Sequence, residues 1–588
     1  MVRWLFVVAT IVGCICQAII GANEVHAGGI DYAGAGAQAL GRAAAVAARA
    51  DDPMVLMYNP AGLVELRGKQ LMLNANVALM NACVDPIGYY GWGSYSGGVP
   101  SRFVDPKSGV PLNLQLGKPG QIGPNEEAYY RGAYDTVCMD QNVVPVPQLA
   151  FTARISDDFG IGLGLIFPSV TPQGKWGGEN AIINGAAGLR TAATRYMMVN
   201  AGTVGIFPTL GLAYRLTNWL RIGVSAKWGM INVDNSTMAV VQPGTTPAND
   251  TLARVRAVDW FVPEITGSIH VVPVDAIDVV AGFHYQDDLD APGTIDLTTG
   301  LFNPNNVPFT TTNQVTGVKQ KFPWQAWLAL RYADRLAPRP TDSGNADMTA
   351  AGGHSVRDSF EDERFDVELD LQYEMNARHR DITIDYEAGQ SVRFQSTRGT
   401  MTMQMFPDPS VPNNVIEKRW KDQLSIRLGG TYNILPGLLG ISVGAHYENR
   451  GVDPSYMQVD YWPVSRVGLH AGVRVRVAHS IDFFASYAHI FQETIVVSAP
   501  PHDEVSNIWT QYAKDRTLTA IDKRVGTLVS TDMPLTPLEE PKPAASDGQA
   551  KLAQSVAKLL PGSPPYVVNS GTYRSGIDVL ALGVNVHF

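Results

Sequence analysis

Past Ala27 the chain contains no apolar run of the roughly 18 residues that a membrane-spanning helix requires. Charged residues make up only 17% of the sequence, and acids outnumber bases, leaving a net charge of -10. The missing basic excess argues against nucleic acid as a partner, because nucleic-acid binding normally needs a basic patch. Cysteine is scarce at 4, with no CxxC pair and no Cys/His spacing of the kind that holds zinc. Catalytic patterns are also thin. Gly34-Ala35-Gly36 lacks the preceding strand and third glycine of a dinucleotide loop, and Ser94 and Ser96 do not form a nucleophile elbow. Asp287, Asp288 and Asp290 lack EF-hand spacing, so a solvated loop is the reading there. We therefore expect no enzyme, no metal and no cofactor.

The first residues set the compartment. Arg3 precedes an apolar stretch from Trp4 to Ile20, and Val25-His26-Ala27 offers small residues for a signal peptidase. Residues 1–27 read as a signal peptide; a lipoprotein-like box at Ile11-Val12-Gly13-Cys14 is the competing reading, with Cys14 lipidated. Cys83 and Cys138 remain after cleavage. An even pair in an oxidising compartment favours a disulfide over two free thiols.

What the chain does have is alternation. Phe365, Val367, Leu369, Leu371 and Tyr373 alternate with Asp366, Glu368, Asp370, Gln372 and Glu374. Successive side chains of a strand point to opposite faces, so one face is apolar and the other polar. Ile222, Val224, Ala226 and Trp228 repeat the pattern against Arg221, Ser225 and Lys227. Residues 467–477 repeat it against Arg474 and Arg476, and Leu424, Ile426 and Leu428 repeat it against Arg427. These segments run about ten residues, enough to cross a bilayer at barrel tilt, whereas strands of a soluble sandwich are typically about 5–6 residues. In a barrel the polar faces point inward. Asp366, Glu368 and Asp370 then need lumenal partners, for which Arg427, Arg474 and Arg476 are candidates. Short connectors such as Ser156-Asp157-Asp158, Leu216-Thr217-Asn218 and Ala478-His479-Ser480 alternate with long ones at 82–145, 169–198, 234–254, 287–320 and 493–572. Residues 335–364 read as a flexible insertion on the short-turn side. Arg42 to Ala50 is helix-prone, and a surface helix is expected over Ser546 to Leu560.

The first mature segment is not strand-like. It carries Gly41-Arg42-Ala43, then Asp51-Asp52-Pro53, then Asn59-Pro60-Ala61-Gly62. This resembles the N-terminal hatch of the FadL/TodX family of outer-membrane transporters for hydrophobic compounds. Pro147-Gln148-Leu149-Ala150, Trp420-Lys421-Asp422 and a last alternating strand closing on Phe588 extend the resemblance, Phe588 standing where the assembly signal is read. The resemblance implies an all-β fold: a closed antiparallel transmembrane barrel of about 14 strands over 69–588, with 28–68 as a small lumenal hatch. It implies an integral protein of the bacterial outer membrane that passively takes up long-chain fatty acids or other small hydrophobic compounds. Its partners would be that ligand, outer-membrane lipid and lipopolysaccharide, and the assembly machinery. Without the resemblance, 28–68 reads as a plain N-terminal arm. Gly160, Gly162 and Gly164 leave one strand face with little bulk, and Pro168 cannot donate to a ladder. Either Pro168 simply ends the strand, or, as the resemblance implies, a kink there opens a lateral exit to the membrane. The long loops leave another function class open, a surface adhesin or receptor anchored on a barrel.

Overall fold

The computed structural model describes residues 34–86, 134–141, 146–167, 174–185, 188–240, 250–301, 308–336, 358–386, 391–396, 399–404, 414–497, 569 and 571–588. Fourteen antiparallel strands form the wall. They are β1 (Lys69–Pro86), β2 (Val146–Arg154), β3 (Phe159–Ile166), β4 (Val204–Thr217), β5 (Leu220–Val240), β6 (Asp250–Val274) and β7 (Ile277–Gln286). The wall continues with β8 (Gln325–Arg335), β9 (Glu363–Glu374), β10 (Gln423–Leu435), β11 (Leu439–Glu448), β12 (Arg466–Ala478), β13 (Ile481–Gln492) and β14 (Gly571–His587). Each strand pairs with the next in sequence. β14 pairs along its whole length with β1, from Gly571 opposite Pro86 to His587 opposite Gln70, and so closes the ring.

Closure matters energetically, because a strand edge in lipid would leave backbone groups without partners. The alternation decides which way each face points. On β9, Val367 is 45% exposed and Tyr373 42%, while Asp366, Glu368 and Asp370 are buried. The same division holds for Ile222 and Val224 against Arg221 and Ser225, for Val467 and Leu469 against His470 and Arg474, and for Leu580 and Leu582 on β14. The outer surface is thus an apolar belt. Trp228, Trp260 and Phe261 stand together at one level of it, and Trp219, Leu438 and Phe588 are exposed near the short-turn end. An outward apolar band edged by aromatic residues is the signature of a membrane barrel. Among the described residues no helix is long and apolar enough to cross a membrane.

Several strands run further than the alternation predicts. β4 continues through Thr217, so the turn before β5 is Asn218–Trp219 rather than Leu216-Thr217-Asn218. β5 and β6 reach 21 and 25 residues, so the expected loop at 234–254 is strand over 234–240 and 250–254. The stretch 287–320 is not plain loop either. It folds into a hairpin, Leu289–Thr299 with Phe309–Gln320, and the first of these strands pairs with the outer half of β6. Cross-strand backbone pairing there replaces the wall above β7 and β8. At the outer end, Trp176, Trp462, Met457 and Tyr573 belong to one buried cluster with Val84, Ile490 and Ile577 of β1, β13 and β14.

Cys83 and Cys138 form a disulfide across 55 positions, and their neighbours Val84 and Val137 are also paired as strand partners. The predicted signal peptide, Cys14, Pro168, the helix at 546–560 and most of the loops at 82–145 and 493–572 and the insertion at 335–364 lie outside the described residues.

Candidate functional site

Residues 34–66 fill the barrel interior. They form two short helices, α1 (Ala37–Gly41) and α2 (Val55–Tyr58), and a 3-10 turn at Pro60–Glu65. The stretch from Arg42 to Ala50 is not helical, despite its alanines. Ala43, Ala44 and Ala50 sit at left-handed φ values of 55°, 60° and 47°. Helix propensity is a weak preference, and here side-chain and backbone contacts with the wall override it. The amides of Ala47 and Ala48 donate to Asp370 and Glu368, at 3.5 and 2.6 Å, instead of closing helical turns.

The segment is held by charge. Arg42 makes a two-pronged contact with Asp366, 3.0 Å from Oδ1 and 2.7 Å from Oδ2, and also donates to Thr431 at 2.6 Å. Arg49 reaches the same carboxylate, and Arg331 Nε lies 2.9 Å from its Oδ2. Three guanidinium groups therefore converge on Asp366. The carboxylates of β9 do face the lumen, but most of their partners differ from the sequence candidates. Arg427 stands opposite Asp370 on the neighbouring strand and its charge acts on that carboxylate, while it also lies 3.7 Å from Glu448 and 3.0 Å from Ser425 Oγ. Arg474 bonds Asp482 and Asp51, and Arg476 bonds Asp482 and Glu361 and lies 2.9 Å from Asp358. For these two the reason is distance round the ring: β12 lies three strands from β9, whereas the interior segment passes directly over β9.

Asp51 accepts from Gln38, Arg49 and Arg474. Burial alone would raise its pKa, but Arg49 and Arg474 outweigh it and hold the group below the ordinary carboxylate range. Asp52 has no such partners; its Oδ1 accepts from the Met54 amide at 2.8 Å. Burial first, and the charge of Asp51 second, push its pKa up to about 7.

Asn59 is fully buried and tied at both ends of its amide. Its Nδ2 donates to the Ala47 carbonyl at 2.7 Å, and its Oδ1 accepts from Ser268 Oγ at 2.8 Å. Ser268 in turn accepts from the Ala61 amide at 2.9 Å. Pro60 opens the 3-10 turn, where a missing N–H costs nothing. Glycines on the inner wall make the seat. A Cβ at Gly223 of β5 would come within 2.2 Å of Ala61 N, and one at Gly162 of β3 within 2.8 Å of Leu56. Gly160 and Gly164 likewise meet Leu63 and Leu56. The bare glycine face of β3 is therefore not an empty stretch of wall. Leu56 and Leu63 of the interior segment occupy it. Gly41 approaches Gly472 of β12 in the same way, and Gly62 packs on Ala50.

The β3 ladder is continuous over Gly160–Leu165 toward β2 and over Phe159–Ile166 toward β4. At Phe167 the backbone ladder stops and a side chain takes over. Gln148 Oε1 accepts from Phe167 N at 3.0 Å, and Gln148 Nε2 donates to Phe167 O at 2.9 Å. The extended sequence pattern gave no sign of this clamp, because a glutamine at a strand start reads as ordinary polar alternation.

A cavity of about 1470 Å³, counting its open side, lies against these parts. Ala44, Ala47, Met57 and Tyr58 border it from the interior segment, and Ile166 and Phe167 from the end of β3. Phe207, Ile231, Phe322 and Trp327 give it apolar surface. Lys227, Glu264, Asp370, Glu374 and Arg427 also face it. Sequence reasoning missed most of these lining residues, since they come from eight wall strands and from outer connections. Lys227, Asp370, Glu374 and Arg427, expected on inward polar faces, are the exceptions.

A closed fourteen-stranded barrel with an apolar belt and a folded N-terminal segment in its lumen defines the class: a transmembrane β-barrel. No family profile and no curated protein matches the sequence. Solved structures do. A Pseudomonas aeruginosa FadL homologue matches at 13% identity over 96% of this chain and 100% of its own, with a TM-score of 0.57. The Pseudomonas putida toluene transporter TodX matches at 11% identity over 95% of this chain and 99% of its own, with a TM-score of 0.50. The chain has the FadL/TodX-type fold.

Proposed function

We propose that this barrel passively admits small hydrophobic compounds, a class that includes long-chain fatty acids, across the outer membrane, with the interior segment as its hatch. One observation carries the reading: a single cavity is bordered by the segment on one side and, on the other, by the point where β3 leaves its backbone ladder. TodX, a toluene transporter with the same fold, supports the class of ligand. Ligand entering from the outer side rests in this cavity. Movement of Leu56 and Leu63 off the glycines of β3 frees space beside the wall, and release of Phe167 by Gln148 opens a sideways path into lipid. A hydrophobic solute leaving there avoids crossing the polar headgroups, and its own gradient drives it. The left-handed alanines of the hatch support a poised element, since strained backbone persists only where the surroundings enforce it.

Uptake of a radiolabelled hydrophobic compound by cells with and without the protein tests the activity. A Gln148→Cys/Phe167→Cys pair tests the route. Uptake should fall when the pair is oxidised and return on reduction, with the wild-type protein treated identically as control. Unchanged uptake in the oxidised pair rules out this exit.

A further inference from the structure

The cavity's polar atoms say which hydrophobic compounds suit it. Two cationic side chains face it, Lys227 and Arg427, against three carboxylates, Glu264, Asp370 and Glu374. Both cations are already engaged. Lys227 Nζ lies 2.7 Å from Glu264 Oε2, with both side chains buried, and Arg427 is held by Glu448 and Ser425. A ligand carboxylate entering here would lose its hydration and meet no uncommitted cation, and burying an unpaired charge is the costliest exchange a site can make.

One neutral hydrogen-bond donor, by contrast, stands idle. Among the described residues Trp327 Nε1 is buried without a hydrogen-bond partner. Its indole lies on the lumen side against Gly282 of β7, where a Cβ would come within 2.2 Å of the ring, so glycine is what lets the indole lie there. An idle donor beside the apolar surface of Phe207, Ile231 and Phe322 matches a hydroxyl or carbonyl oxygen. A buried donor left unsatisfied is a standing cost that a ligand oxygen removes.

We infer that the cavity selects an uncharged hydrophobic molecule carrying a hydrogen-bonding oxygen, an alcohol, ketone or phenol, over a carboxylate of the same size. The inference rests on the uptake reading above and narrows its ligand class. Selectivity of this kind follows because a site built to bond an oxygen discriminates against a ligand that lacks one, while an apolar wall alone distinguishes little.

Three probes with one chain length test it: octan-1-ol, octanoate and octane. Binding to the full chain in lipid nanodiscs is measured by calorimetry at pH 8, with protein-free nanodiscs subtracted. Octan-1-ol should bind at least about 10-fold more tightly than octanoate. Trp327→Phe keeps a ring and removes the N–H; it should weaken octan-1-ol about 5-fold, the usual worth of one neutral hydrogen bond, and leave octane within about 2-fold. Heat-dependent mobility on gels confirms that the variant is a folded barrel. Octanoate binding as tightly as octan-1-ol overturns the inference and leaves the uptake reading standing. Equal losses for octane and octan-1-ol also overturn it, because they would mark a packing effect. If none of the three binds, the cavity is not a ligand site, and the uptake reading fails with the inference.

Discussion

The wall and the segment inside it are built on different physics. The wall is repetitive: every backbone group in the ladder has a neighbour, each strand shows lipid one face and the lumen the other, and the last strand meets the first. The interior segment has almost no repeating backbone structure. It is held by buried ion pairs that meet at Asp366, by Asn59 bonded to Ser268, and by glycines that let its backbone lie against β3, β4 and β5. A ladder gives way only when neighbouring bonds break together. A set of side-chain contacts can be released one face at a time. That difference supports the proposal that the segment can move while the wall stays closed.

The sharpest way to break this contrast is to remove the hub. Asp366→Ala removes the carboxylate that Arg42, Arg49 and Arg331 share, leaving Arg42 to Glu368, Arg49 to Asp51 and Arg331 to Asp278 and Glu363. Breaking one partner of a buried pair costs about 3–5 kcal/mol, and we expect the lower end here because each guanidinium keeps a second carboxylate. Limited proteolysis should then cut residues 34–66 while heat-dependent gel mobility still reports a folded barrel. A barrel that fails to assemble would show that the segment is part of the wall's folding and not separable from it.

The disulfide acts on the wall side of the comparison. By loop-closure entropy alone, a bridge spanning 55 positions should contribute about 4 kcal/mol. Cys83→Ser/Cys138→Ser should lower the urea midpoint of unfolding and leave proteolysis of the segment unchanged.

Asp52 offers a pH handle on the segment alone. Its folded pKa, near 7, lies above its ordinary value of 3.8. The folded state therefore binds the extra proton between those values, and docking weakens as pH rises from about 4 to about 7. Three units at about 1.4 kcal/mol each set an upper bound of about 4 kcal/mol, and about 2 kcal/mol is expected once the segment relaxes. Asp52→Asn keeps an acceptor for the Met54 amide and removes the charge. Hydrogen-exchange protection of residues 34–66, taken relative to the intrinsic rate at each pH, should rise on acidification in the wild type and be flat with pH in the variant; a variant that retains the full pH response would assign it to another group.

The smallest effect concerns backbone strain. Ala43→Gly and Ala44→Gly relieve left-handed alanines, and each should tighten docking by about 0.5–1 kcal/mol. In uptake measurements the tighter hatch should slow passage, whereas faster passage would mean that the strain holds the hatch shut.

Much of the wall was legible in the sequence, because strand alternation is a property of adjacent residues. Phe365, Val367 and Tyr373 face lipid and Asp366 and Glu368 face the lumen simply because consecutive side chains point to opposite sides. The same local rule placed Arg427, Arg474 and Arg476 on inner faces, and the cysteine count indicated the Cys83–Cys138 bridge. Which cation meets which carboxylate was not legible. Arg42 and Asp366 are 324 positions apart and become neighbours only when fourteen strands close into a ring. The glycines of β3 looked like a weakness in the wall until the fold laid Leu56 and Leu63 on them. Gln148 looked like one more polar residue until β3 ended beside it. Sequence determined the direction in which each side chain points, since covalent geometry fixes that within two residues. Only the tertiary structure decided what each one touches, because contact across a closed barrel depends on the register of every strand between.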